Sequence, residues 1–186
     1  MISSKEEVTM RVDEVVKKAE EVLEQNFVQE PPVDIYDLAG LNGLEVVEKV
    51  FPDELSHISG LIANEDSKPR VYVNLSDAPN RQKFTVAHEL GHWLLHADEL
   101  SKNPNLSILF RIAIGELNKD PWEREANIFA ANLLVPLPLL GKYRNGKTNE
   151  ELASLFGVSK DVIGYRLDLL KRNDHVATQS SPTSTK

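Results

Sequence analysis

Val8, Val12, Val15, Ala19 and Leu23 recur at intervals of three or four near the start of the chain, the spacing that gathers apolar side chains on one face of an α-helix. With Ser4 and Glu7 placed as a capping box, this pattern predicts an amphipathic helix over residues 4–27, stopped by Pro31 and Pro32. A short helix is expected around Ile35–Ala39, before Gly40 and Gly43 break the chain. The pattern then shortens. LEVVEKVF (44–51), GLIAN (60–64) and RVYVN (70–74) are rich in β-branched and apolar residues and are separated by turn formers, which predicts three strands in a small, largely antiparallel sheet. Ser76 or Asp77 is expected to cap the next helix, with Pro79 in its first turn, running to about Leu95.

After a polar connection (98–105), LSILFRIAIGEL (106–117) has a helical pattern, and PWEREANIFAANLLVP predicts a helix from Pro121 to Leu134 that Pro136 and Pro138 end. Residues 148–156 and 159–172 read as two short helices joined at Gly157. The polar tail over 173–186 is expected to be disordered. The fold class is therefore α+β, with no internal repeat.

Composition narrows the chemistry. With 41% hydrophobic and 27% charged residues in 186, the chain has a globular balance and the length of an ordinary domain. It has no cysteine, so a metal would have to be held by histidine, carboxylate or water. No run approaches the ~20 apolar residues of a membrane span, and the charged N-terminus lacks the apolar core of a signal peptide; the expected location is cytoplasmic. A net charge of −8 makes the molecule as a whole a poor surface for nucleic acid.

The candidate chemistry lies in FTVAHELGHWLLH (84–96). His88 and His92 are four apart on a predicted helix, hence ~40° apart around its axis and ~6 Å along it, so both imidazoles can reach one ion. Glu89 between them can flank that ion as a general base, the logic of HExxH. His96 lies ~12 Å and ~80° from His88, too far to share the ion easily, and reads as a structural histidine or a partner of the metal ligands. Asp98 would suit a pattern with its third ligand ten residues after the first, but that geometry needs a glycine where the chain has Leu95.

The remaining source of a third ligand is a glutamate on a second helix. Glu123 and Glu125 are 200° apart on the helix of WEREAN, so only one faces the metal. Glu123 has Asn127 one turn on, and its amide carbonyl can accept the second ring proton of a ligand histidine; Glu125 has Phe129 and is expected to face solvent. These residues describe one zinc per chain on His88, His92 and Glu123, a fourth position for water, and Glu89 as base. The group that stabilises the oxyanion is not evident from spacing; Tyr72, Tyr143 and His96 are candidates.

PPVDIYDLAGLNGLEVVE, VYVN, RQKFTVAHELGHWLLH, EREANIFAANLLVP and LASLFGVSKDVIGYRL, in this order over residues 30–170, resemble the ImmA/IrrE family of metallopeptidases. The resemblance implies a gluzincin-like zinc endopeptidase with His88, His92 and Glu123 as ligands and Glu89 as catalytic glutamate. It implies a protein substrate, a helix-turn-helix repressor of mobile-element or stress-response genes, cut at a specific site. The sensory domain that follows the peptidase region in some longer members is not expected here. The expected organisation is a peptidase-like domain over 1–140 and a helix-turn-helix-like helical pair over 141–172 packed on it. That pair carries seven basic and four acidic residues, which leaves a second reading open: a non-catalytic module that sequesters a repressor or contacts DNA through residues 148–172, with Lys160 and Arg166 as contacts.

Overall fold

The apolar stripes read from the sequence become the seams along which the elements pack. The computed structural model describes residues 4–65, 68–102 and 121–179. Helix α1 (Ser4–Gln25) buries Val15, Ala19, Val22 and Leu23. It ends where Phe27 adopts a left-handed φ of 54° and the Asn26 side chain donates to the Val22 carbonyl at 2.7 Å. Helix α2 (Ile35–Leu41) starts at Asp34, whose carboxylate accepts the Asp37 N–H.

Strands β1 (Glu45–Lys49), β2 (Gly60–Glu65) and β3 (Lys68–Asn74) form one sheet in the order β1-β3-β2. The sheet is mixed, which corrects the expectation of a largely antiparallel one. β1 runs parallel to β3, with Val46 opposite Val71, and β2 runs antiparallel to it, with Ile62 opposite Val71. Burial supplies the reason: β3 carries the fully buried Val71 and Val73 and takes the centre, leaving the more polar β1 at an edge. Two strands adjacent in sequence are thus separated by the third.

Helix α3 (Pro79–Lys102) begins one residue later than a cap at Asp77 implies and two later than a cap at Ser76 implies. The Ala78 carbonyl accepts the Arg81 and Gln82 N–H groups, while Asn74 draws Ser76 and Asp77 into the preceding turn. Pro79 then sits at the first helical position, where its missing N–H costs nothing. The helix also runs seven residues beyond Leu95.

Helix α4 (Pro121–Leu134) packs across both α1 and α3. Pro136 and Pro138 do end it, but they also start another helix that the sequence pattern did not predict, α5 (Leu137–Tyr143), with Pro136 at its N-cap. Proline breaks one helix and presets the first turn of the next by the same fixed φ.

Helices α6 (Asn149–Phe156) and α7 (Lys160–Gln179) are the last elements among the described residues. α6 opens on a Thr148–Glu151 capping box and closes on Gly157 at φ 68°, a left-handed position that favours glycine. α7 continues through residues 173–179, which corrects the expectation that the tail is disordered from 173. The helical pattern over 106–117 lies outside the described residues.

The core is continuous. Leu152, Phe156 and Ile163 of the C-terminal pair belong to the same buried cluster as Val71, Leu90 and Phe129. No helix among the described residues is long and apolar enough to cross a membrane.

Candidate metal centre

Ala78, Arg81, Thr85, His88 and His92 follow one another at intervals of three and four along α3 and its N-cap, and all line one cleft. Apolar residues on the opposite side, Val86, Ala87 and Leu90, are fully buried in the core and fix the rotation of the helix. α4 packs beside it. Gly91 permits the approach: a Cβ there would lie 3.1 Å from Phe129 Cδ1 and 3.2 Å from the Ala126 backbone.

That packing brings Glu123 to the two histidines. Its carboxylate bridges them, with Oε2 3.1 Å from His88 Nε2 and Oε1 3.1 Å from His92 Nε2, and the two Nε2 atoms are 3.0 Å apart. One donor atom from each residue lies within 4.8 Å of the others. Glu89 is 8% exposed and opens onto the same cleft.

Asn127, one turn after Glu123, has its amide oxygen 3.1 Å from His88 Nδ1. An amide oxygen only accepts, so Nδ1 carries a proton, and Nε2, which faces Glu123, is the ring atom left to ligate a metal or, when protonated, to donate to the Glu123 carboxylate. A hard carboxylate oxygen and two imidazole nitrogens, with no sulfur, form a donor set suited to zinc and related divalent metals. The residues present therefore fit such an ion.

Without the ion, the charges balance among themselves. Burial alone raises the Glu123 pKa, but hydrogen bonds and charge from His88 and His92 outweigh it and hold the carboxyl down at about 2. Burial likewise lowers the pKa of His88, and the hydrogen bond to Glu123 with the charges of Glu89 and Glu123 turns the net shift upward. Both shifts mark a concentration of complementary groups in a closed space.

His96 does not join the three. It is 3% exposed, stacks on Trp122 with ring centroids 4.9 Å apart, and has Nε2 3.6 Å from Glu125 Oε2. Its ring centroid is 5.6 Å from that of His92. Glu125, expected in solvent, is instead only 13% exposed and turned to His96. α3 continues unbroken through residue 98, so the chain does not turn back to offer Asp98.

Neither Tyr72, Tyr143 nor His96 lines the cleft, whereas His57 and Arg81 do. Arg81 is legible in hindsight from its seven-residue spacing to His88. The other wall was not foreseen. The cleft, about 750 Å³, is also bounded by Gly60 and Ile62 of β2 and by Val158, Ser159 and Val162 before and within the first turn of α7. No local pattern announces residues some seventy positions from the HExxH segment.

The alternative DNA contacts fare differently. Arg166 is 2% exposed and donates from Nε to the Val135 carbonyl at 2.9 Å, and Lys160 pairs with Glu150 at 2.9 Å. Burial pulls the Arg166 guanidinium down to about 10. It is a packing residue at the end of α4 and is removed from any surface that could touch DNA.

Residues 43–168 match the family model Peptidase_M78, described as the IrrE N-terminal-like domain. The metallopeptidase ImmA of Bacillus subtilis is 23% identical over 72% of this chain and 75% of its own length. The radiation response metalloprotease IrrE of Deinococcus radiodurans is 34% identical over 46% of this chain, a stretch covering only 25% of that protein. An immunity region protein of Bacillus phage phi105 is 28% identical over 68% of this chain and 75% of its own length. Among solved structures, a Mycobacterium tuberculosis transcriptional regulator shares the fold, with a TM-score of 0.58 at 20% identity over 83% of this chain and 46% of that one. With its family model spanning most of the chain and three ligand-type side chains gathered in one cleft, the chain belongs to the ImmA/IrrE (Peptidase_M78) family of metallopeptidases.

Proposed function

We propose that this metallopeptidase is a zinc-dependent endopeptidase that cuts a helix-turn-helix repressor at one site and so releases the genes the repressor holds silent. His88, His92 and Glu123 hold the zinc, and Glu89 is the general base. The observation that carries the reading is the meeting of the three donor atoms within 4.8 Å, in a cleft that Glu89 also faces. When bound, the zinc polarises a peptide carbonyl and brings the pKa of a water molecule toward ~7. The rest falls to the protein. Asn127 keeps His88 in the tautomer that ligates, and Glu89 takes the proton of the attacking water on its carboxylate and returns it to the leaving amine nitrogen.

The edge of the sheet supplies a place for the substrate chain. The Asn74 N–H donates to the Ser59 carbonyl, so the residues paired directly across the antiparallel ladder alternate from there and Gly60 and Ile62 turn their N–H and C=O groups outward, toward the cleft. An extended peptide pairs with such an edge strand through its main chain. In this reading α6 and α7 are the helix-turn-helix-like pair, packed on the peptidase domain. The repressor substrate rests on the family resemblance, and a DNA-contacting module is disfavoured by the burial of Arg166.

The test is cleavage by the full chain loaded with zinc, using purified helix-turn-helix repressors encoded beside its gene and mass spectrometry of the products. One repressor is expected to be cut at one bond. Glu89→Gln is expected to keep one zinc per chain and to lose cutting by about a thousandfold or more. Undiminished cutting by that variant would sink the mechanism.

A further inference from the structure

The end of α7 that a DNA-binding helix-turn-helix protein would lay against base edges here borders the metal cleft. Val158, Ser159, Asp161 and Val162 line it together with His88 and Glu123. Three carboxylates, Glu89, Glu123 and Asp161, open into the same space, and a phosphate backbone would meet them as like charge. The neighbouring surface is apolar. Phe84 lies one helical turn before His88 on α3 and lines the cleft; Phe84 and Val162 are partly buried against the core, and Val158 is 5% exposed.

This wall is held in place rather than free to swing. Ser159 Oγ accepts the Val162 N–H at 3.3 Å, Ile163 is fully buried, and Arg166 ties α7 to the end of α4. Gly157, at the turn, lies beside the end of the Lys83 side chain, which reaches across from α3. Phe84, one turn or ~5–6 Å from His88 along α3, is within one or two residues of the reacting bond of an extended peptide, which advances ~3.3 Å per residue, and Val158 and Val162 line the same cleft.

Resting on the peptidase reading above, we propose that Phe84, Val158 and Val162 form an apolar subsite that takes a large apolar side chain of the peptide substrate beside the scissile bond. The turn and first residues of α7 therefore select a protein substrate instead of a DNA sequence. The main chain of the peptide lies on the β2 edge, and its apolar side chain points across the cleft to α7.

Two metal-directed probes separate the subsite from the metal. Binding of N-acetylglycine hydroxamate and of N-acetylphenylalanine hydroxamate to the zinc-loaded full chain is measured by calorimetry. Burying the aromatic ring is expected to tighten binding at least tenfold, roughly the gain from burying one large apolar side chain. In Val162→Glu that ratio is expected to fall toward one, and in the milder Val162→Ala, which guards against misfolding, by about threefold. A ratio near one in the unaltered protein, or an undiminished ratio in both variants, overturns the subsite while leaving the metal reading intact. Failure of both probes to bind overturns the metal reading, and the subsite with it. Binding of random-sequence duplex DNA that Val162→Glu weakens would assign this end of α7 to DNA and also overturn the proposal.

Discussion

Gly91→Ala tests whether the packing of α3 on α4, rather than the HExxH segment alone, builds the metal site. The added Cβ would meet Phe129 Cδ1 at 3.1 Å, the Ala126 Cα at 3.2 Å and Phe129 Cβ at 3.3 Å. Phe129 can tilt its ring, but the Ala126 Cα is backbone and moves only with its helix. Restoring ordinary contact, at 3.4 Å or more, requires a displacement of at least 0.2–0.3 Å between the helices. Glu123 lies three residues before Ala126 on the same helix and shares that displacement. Metal–ligand distances tolerate only about ±0.2 Å, so the site should register the change more strongly than global stability does.

Overpacking costs about 1–3 kcal/mol, and replacing a helical glycine by alanine returns about 1 kcal/mol. The net loss is about 0–2 kcal/mol, or a fall in Tm of at most about 8 °C for a chain of this size. Zinc affinity, measured by competition with a chromogenic chelator, is expected to drop tenfold or more. Gly164→Ala in α7 is the control, because no heavy atom lies within 4 Å of the position its Cβ would take; it should stabilise by about 0.5–1 kcal/mol and leave zinc affinity unchanged. A folded Gly91→Ala protein that binds zinc within twofold of the unaltered chain would refute the argument.

The metal-free protein should show a stability maximum in mildly acid solution. Glu123 has a lowered pKa, so its contribution is present above the ordinary 4.5 and is lost as pH falls toward about 2; His88 has a raised pKa, so its contribution is complete below 6.5 and is lost as pH rises through the folded value. Thermal melts with chelator from pH 2 to 9 should place the best stability between about 4.5 and 6.5, and Glu123→Gln should flatten the profile. Arg166→Ala should destabilise by about 2–4 kcal/mol in urea unfolding, because it empties a buried site and leaves the Val135 carbonyl without its donor; a change below about 0.5 kcal/mol would contradict a packing role. Phe27, 83% exposed at φ 54°, should give a more stable protein as Phe27→Gly, by about 0.5–1 kcal/mol in the same assay.

Much of this molecule is legible along the chain. Helix periodicity locates α1, α3 and α4, and the same periodicity puts His88 and His92 on one face of α3 and Glu123 with Asn127 on one face of α4. These are local relations, fixed by 3.6 residues per turn whatever the helices later touch. The resemblance to a peptidase family is legible for the same reason, as short motifs kept in order. Proline shows the limit of local reading: Pro136 and Pro138 announce a helix end, but the start of α5 depends on what lies on the far side of the break.

What the sequence by itself determined is which faces carry chemistry; what only the tertiary structure decided is which faces meet. The meeting of Glu123 with His88 and His92 depends on the close crossing at Gly91. Strand order depends on which strand can be buried on both edges, so β3 came between β1 and β2 although it follows both in sequence. The burial of Arg166 and Glu125, which sequence left on the surface, came from neighbours on other elements. So did the turn of Val158 and Val162 toward the cleft. Each is a contact between positions far apart in the chain, where no periodicity links them and the outcome is set by complementary shape and the burial of apolar surface.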